Sequence, residues 1–200
     1  MELDMPIPEN PKPYYLKDPL ENAIDEFAKK DRPSQADMNK VIVEASVQSG
    51  LDKYRKQAET MSRSELRSEK HDCSRLARFL VAVGKSRPSR CQAHAIVSGS
   101  HKEAAQLRAI LAWLKLRIDD PDNGCWLPEN TAATPHPSFS KAVPHSRIHR
   151  YNYYAWLNRI INFQFTPNQS TLRKSLKLVG QQLQEGTFPP YVMLPKGKGI

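Results

Sequence analysis

The sequence predicts a predominantly helical α+β fold, in which an all-helical N-terminal part precedes a smaller part that contains two short strands. Apolar residues recur at helical spacing up to about residue 84, whereas short apolar segments at 92–97 and 125–127 are bounded by turn residues. No internal repeat is visible, and 200 residues suffice for one domain or a small pair.

The N-terminal segment, residues 1–19, is predicted to be an extended arm or linker. Proline fixes φ and lacks an N–H, so closely spaced prolines prevent a helix or a central strand. The prolines of this segment are Pro6, Pro8, Pro11, Pro13 and Pro19.

Residues 20–85 are predicted to form a helical subdomain. Apolar residues repeat at helical spacing around 20–28 and 38–45, and Pro33 and the Ser49-Gly50 pair are expected to separate the helices. A third helix is predicted to begin at Ser62, because Ser62-x-x-Glu65 resembles a capping box. This helix is expected to bury Leu66, Leu76, Phe79, Leu80 and Val83.

Residues 86–165 are predicted to run as strand, helix, strand, loop and helix. The first strand ends at Ser98-Gly99, and Ser100-x-x-Glu103 is expected to cap the following helix. The second strand is stopped by Pro128, and a proline-containing loop leads to a helix over about 145–163. Residues 166–200 are predicted to add a last helix, at 170–183, and a tail.

Three histidines in this second part have the chemistry of a metal site. His145 and His149 are four residues apart, so a helix would project both rings from one face, and His94 could close a three-nitrogen pocket. An isolated pair at this spacing is more often a solvated helix face, and only His94 and Asn123-Gly124 favour the site. Three further histidines lack a partner at ligand spacing and are interpreted as surface or core residues: His71, His101 and His136.

The segment from about residue 91 to 161 resembles the AHH branch of the HNH nucleases. The residues that carry the resemblance are Ala93, His94, Ile96, Val97, Asn123, Gly124, Leu127, Pro128, His145 and His149. The resemblance implies a ββα-metal nuclease core with an inserted helix, and a metal-dependent, largely nonspecific DNA endonuclease. It departs from the family at Ala95, where the second histidine of the Ala-His-His motif is expected.

The resemblance also implies a role for each site residue. His94, His145 and His149 would be the metal ligands, Asn123 would orient the general base through the backbone, and Ala95 occupies the position of that base. Without a general base, hydrolysis is expected to slow by roughly 10²- to 10⁴-fold, so the chain is expected to bind metal and nucleic acid but to cut poorly. A deliberate histidine-to-alanine change is favoured over natural degeneration as the explanation of Ala95.

The expected cofactor is one divalent ion, for which Mg²⁺, Mn²⁺, Zn²⁺ and Ni²⁺ are all candidates. Three histidines leave coordination positions for a water and a phosphate oxygen. The three cysteines contain no C-x2-C pair, which argues against a cysteine-rich zinc site or a disulfide framework and fits a reducing compartment.

The net charge of +9 is unevenly distributed. Residues 1–50 carry −4 and residues 51–93 carry +6, whereas no acidic residue lies between Asn130 and Gln184. A basic stretch raises the local concentration of phosphate groups, although a merely solvated face or a surface matched to an acidic protein stays open as an alternative. The residues predicted to bind nucleic acid are Lys141, Arg147, Arg150 and Arg159.

Partners and location follow from the resemblance and from what the sequence lacks. No apolar run approaches the roughly 20 residues that cross a bilayer, and no signal-peptide pattern is present, so a soluble chain without membrane association is predicted. The resemblance implies an antibacterial effector toxin, delivered by a type VI-like secretion system through a delivery protein, that acts in the cytoplasm of a target bacterium. A cognate immunity protein, expected to be acidic, would restrain it. Two alternatives stay open: a noncatalytic nucleic-acid or protein-binding module on a degenerate nuclease fold, and a ribonuclease.

Overall fold

The computed structural model describes residues 12–199 and confirms the predominantly helical α+β prediction. The N-terminal part consists of α1 (Pro19–Ala28), α2 (Gln35–Thr60), α3 (Arg63–Ser68) and α4 (Cys73–Ala82). The second part consists of β1 (Cys91–Ala95), α5 (Ala105–Trp113), β2 (Gly124–Pro128), α6 (His145–Ile148), α7 (Tyr151–Ile160) and α8 (Gln169–Glu185). No helix among the described residues is long and apolar enough to span a membrane.

The two strands pair antiparallel, and the two faces of this small sheet pack against different helices. Cys91 lies opposite Pro128, and Ala95 lies opposite Gly124 at the other end of the pairing. Successive residues of a strand point to opposite faces. One face packs against α4 in a cluster of Leu76, Leu80, Cys91, Ala93, Ala95 and Trp126. The core around Ile96, Cys125 and Leu127 is shared with apolar residues of α5, α7 and α8.

A network of ion pairs joins the N-terminal helices to the turn between α5 and β2. Asp120, which is buried, pairs with Arg55 of α2 and with Arg173 of α8. Asp119, buried one residue earlier, pairs with Arg75 of α4. Because buried carboxylates must be paired, this turn can be buried only where helices from both parts of the chain supply the arginines.

Arg117 extends the same network toward the N-terminal helices. Its guanidinium lies 3.7 Å from the centroid of the Tyr54 ring and pairs with Glu69 at 2.6 Å. Tyr54 also contacts the turn between α5 and β2 directly, since its hydroxyl accepts the backbone N–H of Asp119 at 3.0 Å. The N-terminal helices therefore contact the turn through charges and hydrogen bonds as well as through apolar packing.

Two of the predicted helix boundaries in the N-terminal part are wrong. The predicted break at Ser49-Gly50 is absent, because α2 continues through it and buries Leu51 and Tyr54 in the next turns. A glycine inside a helix costs only about 1 kcal/mol relative to alanine, and burial of these two side chains offsets that cost. The capping box of Ser62 and Glu65 is present, but α3 ends at Ser68.

A new helix, α4, begins after Asp72, whose carboxylate accepts the N–H groups of Ser74 and Arg75. The single helix predicted from Ser62 is thus two helices. Val83 follows α4 and is 36% exposed, so its predicted burial is also wrong.

Two helix predictions in the second part of the chain are also wrong. The predicted capping box at Ser100-x-x-Glu103 does not form, because His101 accepts the N–H of Glu103 and a 3₁₀ turn precedes α5. The helix predicted over 145–163 is divided into α6 and α7 by non-helical backbone at His149 and Arg150.

The predicted arm is structured in its described part. Tyr14–Leu16 is a 3₁₀ turn, and Pro19 begins α1 behind the N-cap Asp18, which forms a capping box with Glu21. Proline is well tolerated at this first helical position, where its missing N–H would have no partner in the helix. Pro6, Pro8 and Pro11 lie outside the described residues.

Replacing Asp120 with alanine is expected to lower the free energy of unfolding by about 2–4 kcal/mol, because Arg55 and Arg173 lose a buried partner but keep some contact with water. Urea unfolding followed by tryptophan fluorescence measures the change. Asp52→Ala, which removes an exposed carboxylate of α2, is the matched control and should change stability by less than about 0.5 kcal/mol. Equal effects of the two substitutions would contradict the importance of the network.

Candidate metal centre

Three histidines from two segments of the chain meet at one point. His94 lies in β1, His145 begins α6, and His149 directly follows α6. Each offers a ring nitrogen, and the three nitrogens all lie within 4.8 Å of one another. The centroid of the His94 ring is 5.3 Å from that of His145 and 4.9 Å from that of His149. This is the donor set of a three-histidine site for one divalent cation.

Local structure explains why these side chains converge. His94 alternates with Ala93 and Ala95 along β1, so its ring points away from the face that packs on α4. The short helix α6 is anchored by the fully buried Ile148, and it ends where His149 takes non-helical backbone angles. The four-residue spacing of His145 and His149 is therefore realised on one helical turn and its end.

His94 is fully buried, and its hydrogen bonds select one ring tautomer. The Tyr153 hydroxyl donates to the carbonyl of Ile96 at 2.9 Å, so it can accept the Nε2–H of His94, which lies 3.2 Å away. The lone pair of His94 then sits on Nδ1. That nitrogen is buried and has no hydrogen-bond partner among the described residues. A buried acceptor without a partner is costly, and a bound cation would satisfy it.

His149 is oriented by Tyr154, the residue of α7 that follows Tyr153. Its Nδ1 lies 2.6 Å from the hydroxyl of Tyr154, which leaves Nε2 available. The Tyr154 ring is itself held by His101, which stacks on it with ring centroids 4.5 Å apart. Hydrogen bonds of this kind fix the orientation of metal-binding imidazoles and raise their basicity.

The electrostatics of the site keep the imidazoles neutral. Burial, together with His149 and His145, holds the pKa of His94 well below its ordinary value. Burial lowers the pKa of His149 to about 4, and burial also lowers the pKa of His145. Only neutral imidazole ligates a metal, so the site is ready to bind a cation near pH 7 without first releasing protons.

Asn123 is buried and ties the turn before β2 to the end of β1. Its Oδ1 accepts the N–H of Val97 at 2.8 Å, and its Nδ2 donates to the carbonyls of Val97 and Ile118. The Asn123 carbonyl also accepts the N–H of Ile96 at 2.9 Å. These bonds fix the backbone that directly follows Ala95.

Ala95 itself does not face the three imidazoles. It is 4% exposed and packs with Leu76 and Leu80 of α4, on the strand face opposite His94. A histidine at this position would have to enter that apolar cluster or displace part of it.

The four basic residues predicted to bind nucleic acid occupy different surroundings. Arg147 is exposed between the two histidines of α6, whereas Arg150 donates to the carbonyls of Arg147 and Met193. Arg159 stacks over Tyr191 at 5.5 Å, and Lys141 lies beside the end of α8. Within residues 12–199 none of the four forms a salt bridge, so their charges are available to an anionic ligand.

Two histidines that were interpreted from the sequence as surface or core residues lie beside the site. His101 stacks over His149 with ring centroids 6.5 Å apart, and the charge of His71 contributes to the lowered pKa values of all three site histidines. Neither has a sequence spacing that relates it to the ligands, so only the tertiary fold could find them. His136, by contrast, is a buried residue that contacts Ser89 and Cys91.

Comparison with known proteins supplies one match. A family model described as a nuclease family of the HNH/ENDO VII superfamily with conserved AHH matches residues 80–184, which is more than half of the chain. The matched region runs from α4 to α8 and contains all three histidines of the cluster. Comparisons with curated proteins and with solved structures gave no match.

Tyr153→Phe is expected to weaken metal binding about 10- to 100-fold, because His94 loses the hydrogen bond that fixes its tautomer. Zn²⁺ affinity, measured by competition with a chelating dye, tests this. Tyr151→Phe removes an exposed hydroxyl from the same helix and should leave the affinity unchanged. Equal affinities in the two variants would show that Tyr153 does not orient His94.

The metal-free protein is expected to lose stability as the pH falls from about 6.5 toward 4. The folded-state pKa of His149, about 4, lies below its ordinary value of 6.5, so the unfolded chain binds more protons across this window. This contribution is fully present above the ordinary value and is lost as the pH falls. Thermal unfolding in chelator at several pH values measures it, and His149→Gln should flatten the profile. Identical slopes for the variant and the parent protein would contradict the assignment.

Proposed function

The chain belongs to the AHH nuclease family of the HNH/ENDO VII superfamily, and on that premise we propose that it is a metal-dependent endonuclease that cleaves DNA with little sequence preference. Nucleases of this superfamily use a divalent metal, and the proposed ligands are His94, His145 and His149. The same residues would leave positions on the cation for a water and a phosphate oxygen.

The observation that carries the proposal is the unpartnered Nδ1 of His94, a buried nitrogen that lies among the rings of His145 and His149. A structural histidine in a core would use both ring nitrogens or expose one to water. A cation bound there would act as a Lewis acid that neutralises the charge developing on the phosphate. The imidazoles hold it, and the hydroxyls of Tyr153 and Tyr154 keep two of those imidazoles in position.

The proposed substrate is the phosphate backbone rather than a base sequence. Arg147 is the exposed cation nearest in sequence to both α6 ligands, and Lys141, Arg150 and Arg159 add positive charge without acidic partners among the described residues. Contacts of this type give affinity that is independent of sequence and that falls steeply with salt. They do not distinguish DNA from RNA, so a ribonuclease is an outcome that the experiment below must separate.

Ala95 is proposed to limit the rate. The methyl group cannot accept a proton, so cleavage is expected to be about 10²- to 10⁴-fold slower than with an imidazole at the position of the general base. The packing of Ala95 against Leu76 and Leu80 favours a second candidate function, a noncatalytic module that grips nucleic acid without cutting it.

In its biological setting we propose an antibacterial effector that enters a target bacterium through a secretion system and its delivery protein. The support for this part is the family resemblance alone. The net charge of +9 supports the further expectation that a cognate immunity protein is acidic and covers the basic surface, since complementary charge speeds association and specifies the partner.

The test is cleavage of supercoiled plasmid and of a structured RNA, with Mg²⁺, Mn²⁺, Zn²⁺ or Ni²⁺ and with chelator. We expect slow, metal-dependent cleavage of DNA that chelator abolishes and that His149→Ala lowers by at least about 10²-fold. His136→Ala, at a buried histidine outside the cluster, is the control and should retain cleavage.

Ala95→His, once its thermal unfolding shows that it folds, should cut faster than the parent chain. Metal binding without cleavage of either substrate by any of these proteins would leave the binding module as the function. Cleavage of the RNA alone would establish a ribonuclease.

A further inference from the structure

We propose that His71, held in place by Asp119, is the proton acceptor of this site and substitutes in part for the imidazole that position 95 lacks. The proposal rests on the nuclease function argued above. It places a catalytic residue outside the matched family region, on the loop that joins α3 to α4.

The fold brings this loop to the sheet face that carries Ala95. His71 precedes α4, and α4 packs on that face through Leu76. His71 also lies against the turn that follows β1, where a Cβ on Gly99 would be 2.8 Å from the Cβ of His71. His71 therefore sits on the same side of the sheet as the missing imidazole, but it comes from a different segment of the chain.

A cleft runs from the first turn of α4, which directly follows this loop, to His145. It has a volume of about 220 Å³ and is lined by Cys73 and Ser74 of α4, by Ala93 and Trp126 of the sheet, and by His145. The Sγ of Cys73 lies 3.2 Å from Nε2 of His71. A phosphodiester that enters the cleft would thus have His145 on one side and Cys73, which contacts Nε2 of His71, on the other.

Asp119 sets the tautomer of His71. The carboxylate of Asp119 is fully buried and accepts a hydrogen bond from Nδ1 of His71, as well as from Arg75 and from the N–H of Asp72. With the proton on Nδ1, Nε2 carries the lone pair. The side chain of His71 is 22% exposed, so water reaches it, while its ring is fixed by a buried partner.

His71 is not a member of the three-histidine cluster. No described hydrogen bond or ring contact joins His71 to His94, His145 or His149. Its charge nevertheless contributes to the lowered pKa values of all three. A water in the cleft lined by His145 and Cys73 is the group that His71 would deprotonate.

His101, the other nearby histidine, has the wrong tautomer for this role. Its Nδ1 accepts the N–H of Glu103 at 3.2 Å, so the neutral ring carries its proton on Nε2 and has no second lone pair. The ring also stacks on Tyr154. Of the two histidines, only His71 keeps its lone pair off the backbone, on the Nε2 that lies 3.2 Å from the Sγ of Cys73.

The oxygen of the attacking water forms a new bond to phosphorus, and the proton of that water passes to Nε2 of His71. The bond from phosphorus to the leaving sugar oxygen breaks, its electron pair stays on that oxygen, and the oxygen takes a proton from solvent. His71 then releases its proton to solvent, so that one water is consumed for each phosphodiester cleaved.

The experiment compares His71→Asn with His136→Asn on supercoiled plasmid with Mg²⁺ or Mn²⁺. Asparagine can still donate to Asp119 but cannot accept a proton, so we expect His71→Asn to cut at least about 10²-fold more slowly, with unchanged Zn²⁺ affinity and thermal unfolding. His136→Asn, at a buried histidine outside both the cluster and the cleft, should cut at a rate close to that of the parent protein.

Each other outcome overturns the proposal in an identifiable way. Undiminished cleavage by both His71→Asn and His71→Gln would exclude His71 as the base. Loss of Zn²⁺ affinity or of folding in both variants would make its role structural. An equal loss of cleavage in His136→Asn, with its fold intact, would overturn the assignment to His71. If the parent protein binds Zn²⁺ but cleaves nothing, the proposed function fails before the role of His71 is reached.

Discussion

The burial of three neighbouring carboxylates, Asp119, Asp120 and Asp122, is the constraint on which the rest of this structure depends. Each must be neutralised inside the protein, and one helix cannot do this for all three. Arginines therefore reach the turn from α2, α4 and α8. These ion pairs fix the turn, and the next residue, Asn123, lies in a fixed position as a result. Its buried amide holds the backbone just after β1, the strand that carries His94.

This constraint also explains why helices before the matched family region matter to the site within it. Arg55, Tyr54 and Arg75 all precede residue 80, yet they contact the turn that fixes Asn123. A two-stranded sheet with one short helix buries little apolar surface and needs additional packing. The N-terminal helices supply that packing through Leu76 and Leu80 and supply the countercharges at the same time. The three-histidine cluster and the N-terminal helices are thus connected through the same turn and the same sheet.

Local signals made the strands and the three histidines predictable. Ser98-Gly99 follows the observed end of β1 by three residues, Pro128 is the last residue of β2, and a four-residue spacing is enough to place His145 and His149 together. Features that depend on tertiary contacts could not be predicted from the sequence. Nothing local distinguishes Gly50, inside α2, from a helix breaker, or reveals that Arg173 pairs with buried aspartates instead of facing solvent. The positions of His71 and His101 beside the site are set by the packing of separate segments, which no spacing in the chain encodes.

Tyr153 and Tyr154 are adjacent on α7, and they hold imidazoles that come from different elements, one from β1 and one from the end of α6. Neighbouring residues on a helix are about 100° apart around its axis, so their hydroxyls point in different directions from a single turn. The orientations of two ligands are consequently not independent. A rotation or a shift of α7 would therefore displace both rings together, so any cation that the cluster holds depends on the position of this one helix.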